Sequence, residues 1–206
     1  MNYEDFVKVL GASRTQVFSL DDAQRILNCK RAYASLFVSR NIKKGKLILI
    51  KKGTYAMPSS GYAEVATNIV KPSYMSMAAA LYYRALVDQM PNEIIVINPI
   101  MSRKIMLKIP EGTYAIRMVK VKPERMFGFA REESGKGFAY IASPEKAVAD
   151  ALHMPGYCPE SYIDDALISG KIDADRLIGY ARRMGSNALL KRLEVAAKRS
   201  GINIKL

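Results

Sequence analysis

The segment RAYASLFVSRNIKKGKLILIKKGTYA, residues 31–56, decides how the front of this chain folds. Ala34, Val38 and Ile42 recur four apart, which places them on one helical face, a stripe suited to docking on a core. Tyr33, Arg40 and Lys43 fall on roughly the opposite side, whereas Leu36 and Phe37 sort cleanly to neither. The spacing predicts a helix from about Arg31 to Lys44, stopped by Gly45. Leu47 to Ile50 and Thr54 to Ala56 then read as two short strands around the turn Lys51-Lys52-Gly53, a hairpin.

Two shorter helices are expected upstream. Residues 3 to 10 carry Phe6, Val7 and Leu10 at helical spacing, with Gly11 as the stop. Ser19 stands three residues before Asp22, a weaker form of the capping box, ahead of the apolar set Leu20, Ala23, Ile26 and Leu27. Asn28 suits a left-handed C-terminal position or a cap. Three helices and a hairpin within the first 60 residues give the order of a winged helix-turn-helix. In that motif the third helix enters the major groove and the hairpin wing lies along the phosphates. Pro58-Ser59-Ser60-Gly61 supplies a turn-rich boundary, so the expected domains are 1–60 and 61–206.

Charge points the same way. The 206-residue chain has a net charge of +13, and from Ala23 to Ala63 it carries no acid at all. Nine cations lie in that stretch: Arg25, Lys30, Arg31, Arg40, Lys43, Lys44, Lys46, Lys51 and Lys52. A field of one sign repels itself, so a matching anion is expected against it, and nucleic acid is the commonest polyanion of that extent. Lys30, Arg31, Tyr33, Arg40, Lys43, Lys44, Lys46, Lys51 and Lys52 are the candidate DNA contacts. Arginine can read guanine bidentately, and lysine mostly neutralises phosphate.

Beyond residue 61 helices and strands alternate without regular βαβ repetition, which argues for a larger mixed α+β domain. A helix capped by Ser73 or Ser76 is expected to run to about Val87. Strands are expected at Glu93 to Asn98, Arg103 to Ile109, Thr113 to Val121, Phe127 to Arg131 and Gly137 to Ile141. Ser143-Pro144-Glu145 places a cap, an N1 proline and an acid in the order that opens a helix. Asp164 to Ile168 is a short helical piece, and Asp173 to Met184 and Ser186 to Arg199 are helices separated by Gly185.

Residues suited to catalysis are few. His153 is the only histidine and has no motif around it, so it reads as a cap or a packed side chain and no catalytic residue is assigned. Cys29 and Cys158 lack metal or disulfide spacing, so neither a metal nor another cofactor is expected and reduced thiols are. Asp164-Asp165 and Asp173…Asp175 could hold a divalent ion, but both lie where helix starts favour acids. Tyr82-Tyr83, near Tyr74, reads as half-buried core or as a stacking surface. Arg182, Arg183, Lys191, Arg192, Lys198 and Arg199 form either ordinary solvated helices or a second basic surface. The acidic N-terminus carries no leader-like apolar stretch, and no apolar run approaches the ~18–20 residues of a membrane span. A cytoplasmic protein with no membrane partner is expected.

Several segments together resemble the AbiEi-type antitoxins of type IV toxin–antitoxin systems. They are Lys44-Gly45-Lys46-Leu47…Lys52-Gly53-Thr54-Tyr55, Lys71-Pro72-Ser73-Tyr74-Met75-Ser76 with Ala79-Ala80-Leu81-Tyr82-Tyr83, and Glu111-Gly112-Thr113-Tyr114. Phe127-Gly128-Phe129, Ile141-Ala142-Ser143-Pro144-Glu145-Lys146-Ala147 and the basic stretch Ser186 to Arg192 extend the likeness over nearly the whole chain. Arg84-Ala85 departs from it, standing where the family usually has histidine-glycine. The resemblance implies a winged helix that binds inverted repeats in the promoter of its own operon. It also implies a second domain that counteracts a cognate nucleotidyltransferase-type toxin, directly or through its effect. A homodimer on DNA would match such repeats. The alternative is a nucleic-acid-processing or nucleotide-transfer enzyme that docks through the winged helix, with Asp164, Asp165, Asp173 or Asp175 holding metal.

Overall fold

The computed structural model describes residues 1–202 and shows a mixed α+β protein. The chain divides into two compact units. The first comprises Met1–Lys71 together with Met106–Tyr114 and Arg131–Ala139, and the second comprises Pro72–Ile105, Ala115–Ala130 and the chain from Tyr140 onward.

The first unit opens with α1 (Tyr3–Ala12), capped by Asn2, whose side chain accepts from the Asp5 amide. Gly11 does not stop this helix. The chain leaves it one turn later, where the Ser13 hydroxyl donates to the Val9 and Leu10 carbonyls and Arg14 turns left-handed at φ 50°. Strand β1 (Val17–Ser19), which sequence patterning did not reveal, leads directly into α2 (Leu20–Leu27). Ser19 and Asp22 form a full capping box, and Asn28 closes α2 at φ 47°, ψ 55°. Next come α3 (Arg31–Lys43), left through Gly45 at φ 68°, and the hairpin of β2 (Ile48–Lys51) and β3 (Thr54–Ala56). The three strands form a sheet in the order β1-β3-β2, with Val17 opposite Ala56 and Ser19 opposite Thr54.

One apolar core joins these elements. Phe6, Leu10, Phe18, Ala23, Leu27, Ala34, Val38, Leu47 and Met57 are buried together. Phe6 meets Phe18 edge-on at 5.4 Å and Phe37 at 5.2 Å, which gives Phe37 an inward role. Leu36 is 46% exposed and faces outward.

The unit continues past the turn at 58–61 into α4 (Tyr62–Asn68), whose Ala63, Val65 and Ala66 are buried. Burial of nearly every residue leaves α4 without amphipathic periodicity, so its sequence gives no helical signal. Glu64 on this helix is 1% exposed and its Oε2 finds no partner among the described residues. Burial pushes its carboxyl up to about 7. A Cβ at Gly137 would stand 1.7 Å from Glu64 Oε1, so only glycine fits there.

The second unit begins with β4 (Tyr74–Ser76) and α5 (Met77–Tyr83), a shorter helix than the expected run to Val87. Strands β5 (Glu93–Asn98), β6 (Arg103–Ile109), β7 (Gly112–Lys120), β8 (Phe129–Ser134) and β9 (Gly137–Ala142) join β4 in a six-stranded sheet in the order β6-β7-β5-β4-β9-β8, of which residues 106–114 and 131–139 count with the first unit. β5 runs parallel to β7, and β4 runs antiparallel to β5 and parallel to β9. Helices α6 (Pro144–His153), α7 (Glu160–Ile168), α8 (Ala174–Arg183) and α9 (Asn187–Arg199) follow. Ser143 caps α6 as expected, and Asp173 and Ser186, expected as first helical residues, cap α8 and α9. No helix among the described residues is long and apolar enough to cross a membrane.

Candidate nucleic-acid interface

Helix α3 presents its polar side outward because Ala34 and Val38, 0% and 1% exposed, fix the inward side. Its start is open. Lys30 offers no side-chain cap, and the first turn holds no acid, so the amide donors and positive end of the helix dipole stay available to an anion.

The eight cations among the nine candidate contacts separate into two groups. Arg31 is paired with Asp21 of α2, and Lys46 lies over the Tyr3 ring at 4.7 Å. Arg25, a further cation of the acid-free stretch, is held by Asp22 at 2.9 Å. By contrast Lys30, Arg40, Lys43, Lys44, Lys51 and Lys52 form no ion pair among the described residues, and all but the half-buried Lys51 are exposed. Tyr33 is 53% exposed. With Tyr3, Leu36, Phe37, Arg40, Asn41, Lys44 and Lys46 it borders a groove of about 190 Å³ beside α3. On the hairpin, Gly53 takes φ 81°, which lets the chain reverse immediately after Lys51 and Lys52.

The second basic set does not assemble into one free surface. Arg183 stacks over Phe127 at 3.8 Å, and Arg192 donates to the Leu152 carbonyl at 3.0 Å. Lys198 binds Glu194 at 3.0 Å, while Arg199 is shared by Glu160 and Asp164. Only Arg182 and Lys191 of that set stand exposed without such a contact among the described residues.

Two of the four carboxylates considered for metal binding have other partners. Asp164 accepts from Arg199, and Asp173 caps α8 by accepting from the Arg176 amide at 3.0 Å. Among the described residues no group of three His, Cys, Asp or Glu stands close enough to hold a metal ion. His153 ends α6 with Nε2 2.5 Å from Arg125 Nη1; burial and that guanidinium hold its pKa below the ordinary value, so the ring is a neutral acceptor.

Sequence reasoning missed a buried polar network in the second unit. Lys146 Nζ donates to Asp150 Oδ1 at 2.5 Å, and Ser76 and Tyr74 hydroxyls donate to Asp150 Oδ2 at 2.7 and 3.1 Å. The Lys146 ammonium also lies 4.5 Å from the Phe127 ring centre, and Tyr74 stacks on Phe129 at 4.4 Å. Burial presses the ion pair toward neutrality, lowering the Lys146 pKa and raising that of Asp150, while each charge opposes the other's shift. Gly128, at φ 71°, is confined by Lys146, whose Cβ would lie 3.0 Å from an added Cβ. Three segments that carry the family resemblance, around Tyr74, Phe127 and Lys146, thus converge on one site. Their spacing in the sequence was the available signal, but no local pattern marks Asp150 as their common acceptor. No protein-family model matches the chain, and no curated protein matches it in sequence.

Proposed function

We propose that the front of the chain is a winged helix-turn-helix binding double-stranded DNA, and that the protein is a transcriptional repressor and antitoxin. In this reading α3 is the recognition helix and the β2–β3 hairpin is the wing. The observation that carries it is the set of six cations on and beside α3 and the hairpin that form neither an ion pair nor a ring contact among the described residues. Charge left unneutralised within the protein is available to phosphates, whose neutralisation and counterion release supply most of the affinity for a duplex. The core beneath α3 supports the reading too, since it holds the helix by one face and leaves the other for a groove.

The antitoxin role rests on the family resemblance, whose segments meet at the Lys146–Asp150 network. The larger domain would counteract a nucleotidyltransferase-type toxin, directly or through its effect. A single winged helix reads few base pairs, so two copies on an inverted repeat would supply the discrimination a repressor needs.

A gel-shift comparison tests the first half. The full chain should shift DNA from upstream of its own gene at lower concentrations than random duplex of equal length. Equal shifts of both would remove the repressor reading. Growth of cells expressing a neighbouring nucleotidyltransferase gene, with and without this chain, tests the second half, and absence of rescue would count against it.

A further inference from the structure

Building on the DNA-binding reading, we infer that Ala32 and Leu36 of α3 read thymine methyl groups, so that apolar contact selects the centre of each half-site while the flanking charges hold its edges. Along α3 the free cations stand at the two ends. Lys30 precedes α3, and Arg40, Lys43 and Lys44 occupy its end. Between them the one cation is Arg31, which is committed to Asp21. The exposed residues of the middle are Ala32, Tyr33, Ser35, Leu36 and Ser39, all uncharged.

That order matches a major groove in cross-section. Thirteen residues at about 1.5 Å each give a helix of roughly 20 Å. The groove is only about 12 Å wide, so both helix ends overhang phosphate walls while the middle lies over base edges. At about 100° per residue, Leu36 points some 200° away from the buried Ala34, straight out from the core. Ala32 lies one turn before it on the same line.

Leucine and alanine offer no hydrogen bond, and the one apolar group on the groove floor is the C5 methyl of thymine. The neighbouring Ser35 and Ser39 hydroxyls can donate or accept, so they tolerate several bases. A leucine 46% exposed on this uncharged face gains from covering a methyl and gains nothing from phosphate.

The test separates this inference from the reading beneath it. The full chain would be used to select sites from a pool of random duplexes, and the best site would be remade with deoxyuridine in place of thymidine, which removes only the methyls. Competition binding should show the methyl-free duplex weaker by roughly threefold to fourfold for each methyl contacted. Leu36→Ala should bind both duplexes more nearly alike while keeping the wild-type salt dependence. Equal affinity of the wild type for the two duplexes overturns the inference and leaves DNA binding intact. So does salt-dependent binding with no sequence enriched. Failure to bind any duplex overturns the DNA-binding reading itself, and this inference with it.

Discussion

The guanidinium of Arg31, the first residue of α3, rests on the carboxylate of Asp21 in the first turn of α2. The pair lies at the surface, with side chains 62% and 63% exposed, where such contacts contribute only about 0–1 kcal/mol. In the proposed complex Asp21 would therefore hold one cation back from the duplex at little cost in stability. Asp21→Asn should leave the thermal midpoint nearly unchanged and tighten binding to random duplex in low salt. Weaker or unchanged binding would mean that Arg31 does not reach the phosphates once released.

If α3 and the hairpin bind a duplex, the six cations free of ion pairs and ring contacts set the salt dependence. If all six meet phosphates, log Kobs should fall with log salt at a slope of about −5. Lys43→Ala and Lys44→Ala should each reduce the slope by about 0.9 and weaken binding evenly across sequences. A slope near zero between low and moderate salt would contradict the arrangement.

Arg40 stands one turn beyond Leu36 and carries no ion pair among the described residues, so its head is free to reach a base edge. Arg40→Ala should cost about 1–3 kcal/mol on the selected duplex if the contact is bidentate to guanine, and should relax specificity at one position. A loss equal on selected and random DNA would instead place Arg40 on phosphate.

The ion pair of Lys146 and Asp150 is 0% and 2% exposed, deep enough that breaking it leaves an uncompensated charge. Asp150→Ala should destabilise the fold by about 3–5 kcal/mol in urea titrations, since it also strips the Ser76 and Tyr74 hydroxyls of their acceptor. The double replacement Lys146→Met with Asp150→Leu should recover much of that loss. A double variant as unstable as the single one would show that the hydroxyls, and not the unpaired ammonium, account for the damage.

Glu64 makes stability depend on pH. Its folded pKa, about 7, lies above the ordinary 4.5, so between those values the folded chain holds a proton that the unfolded chain has released. Stability must then fall as pH rises through this window, and the loss is complete above the folded value. Glu64→Gln removes the titration. The wild-type thermal midpoint should decline relative to that of the glutamine variant from pH 5 to pH 8, and parallel midpoints would show that Glu64 does not retain its proton.

Local chemistry was legible in the sequence where one or two residues decide it. The Ser19–Asp22 capping box, the Ser143, Asp173 and Ser186 caps and the left-handed exits at Gly45 and Gly185 all follow from short-range patterns. β1 was not legible, because three residues carry no period and its partner β3 lies far along the chain. Gly11 misled for a related reason: a glycine stops a helix only where the backbone turns left-handed, and here Arg14 makes that turn. Around α3 the cations could be counted in advance, but the commitment of Arg31 depends on how α2 and α3 pack. The network at Asp150 was further out of reach, since Tyr74 lies 76 residues from its acceptor.

The first unit takes in residues 131–139 as well as the front of the chain, and this constrains the order of events during synthesis. When the ribosome has made only the three leading helices and their hairpin, the glycine that must lie against Glu64 has not yet been translated. A nascent chain therefore cannot complete the surroundings of Glu64 until Gly137 has been translated.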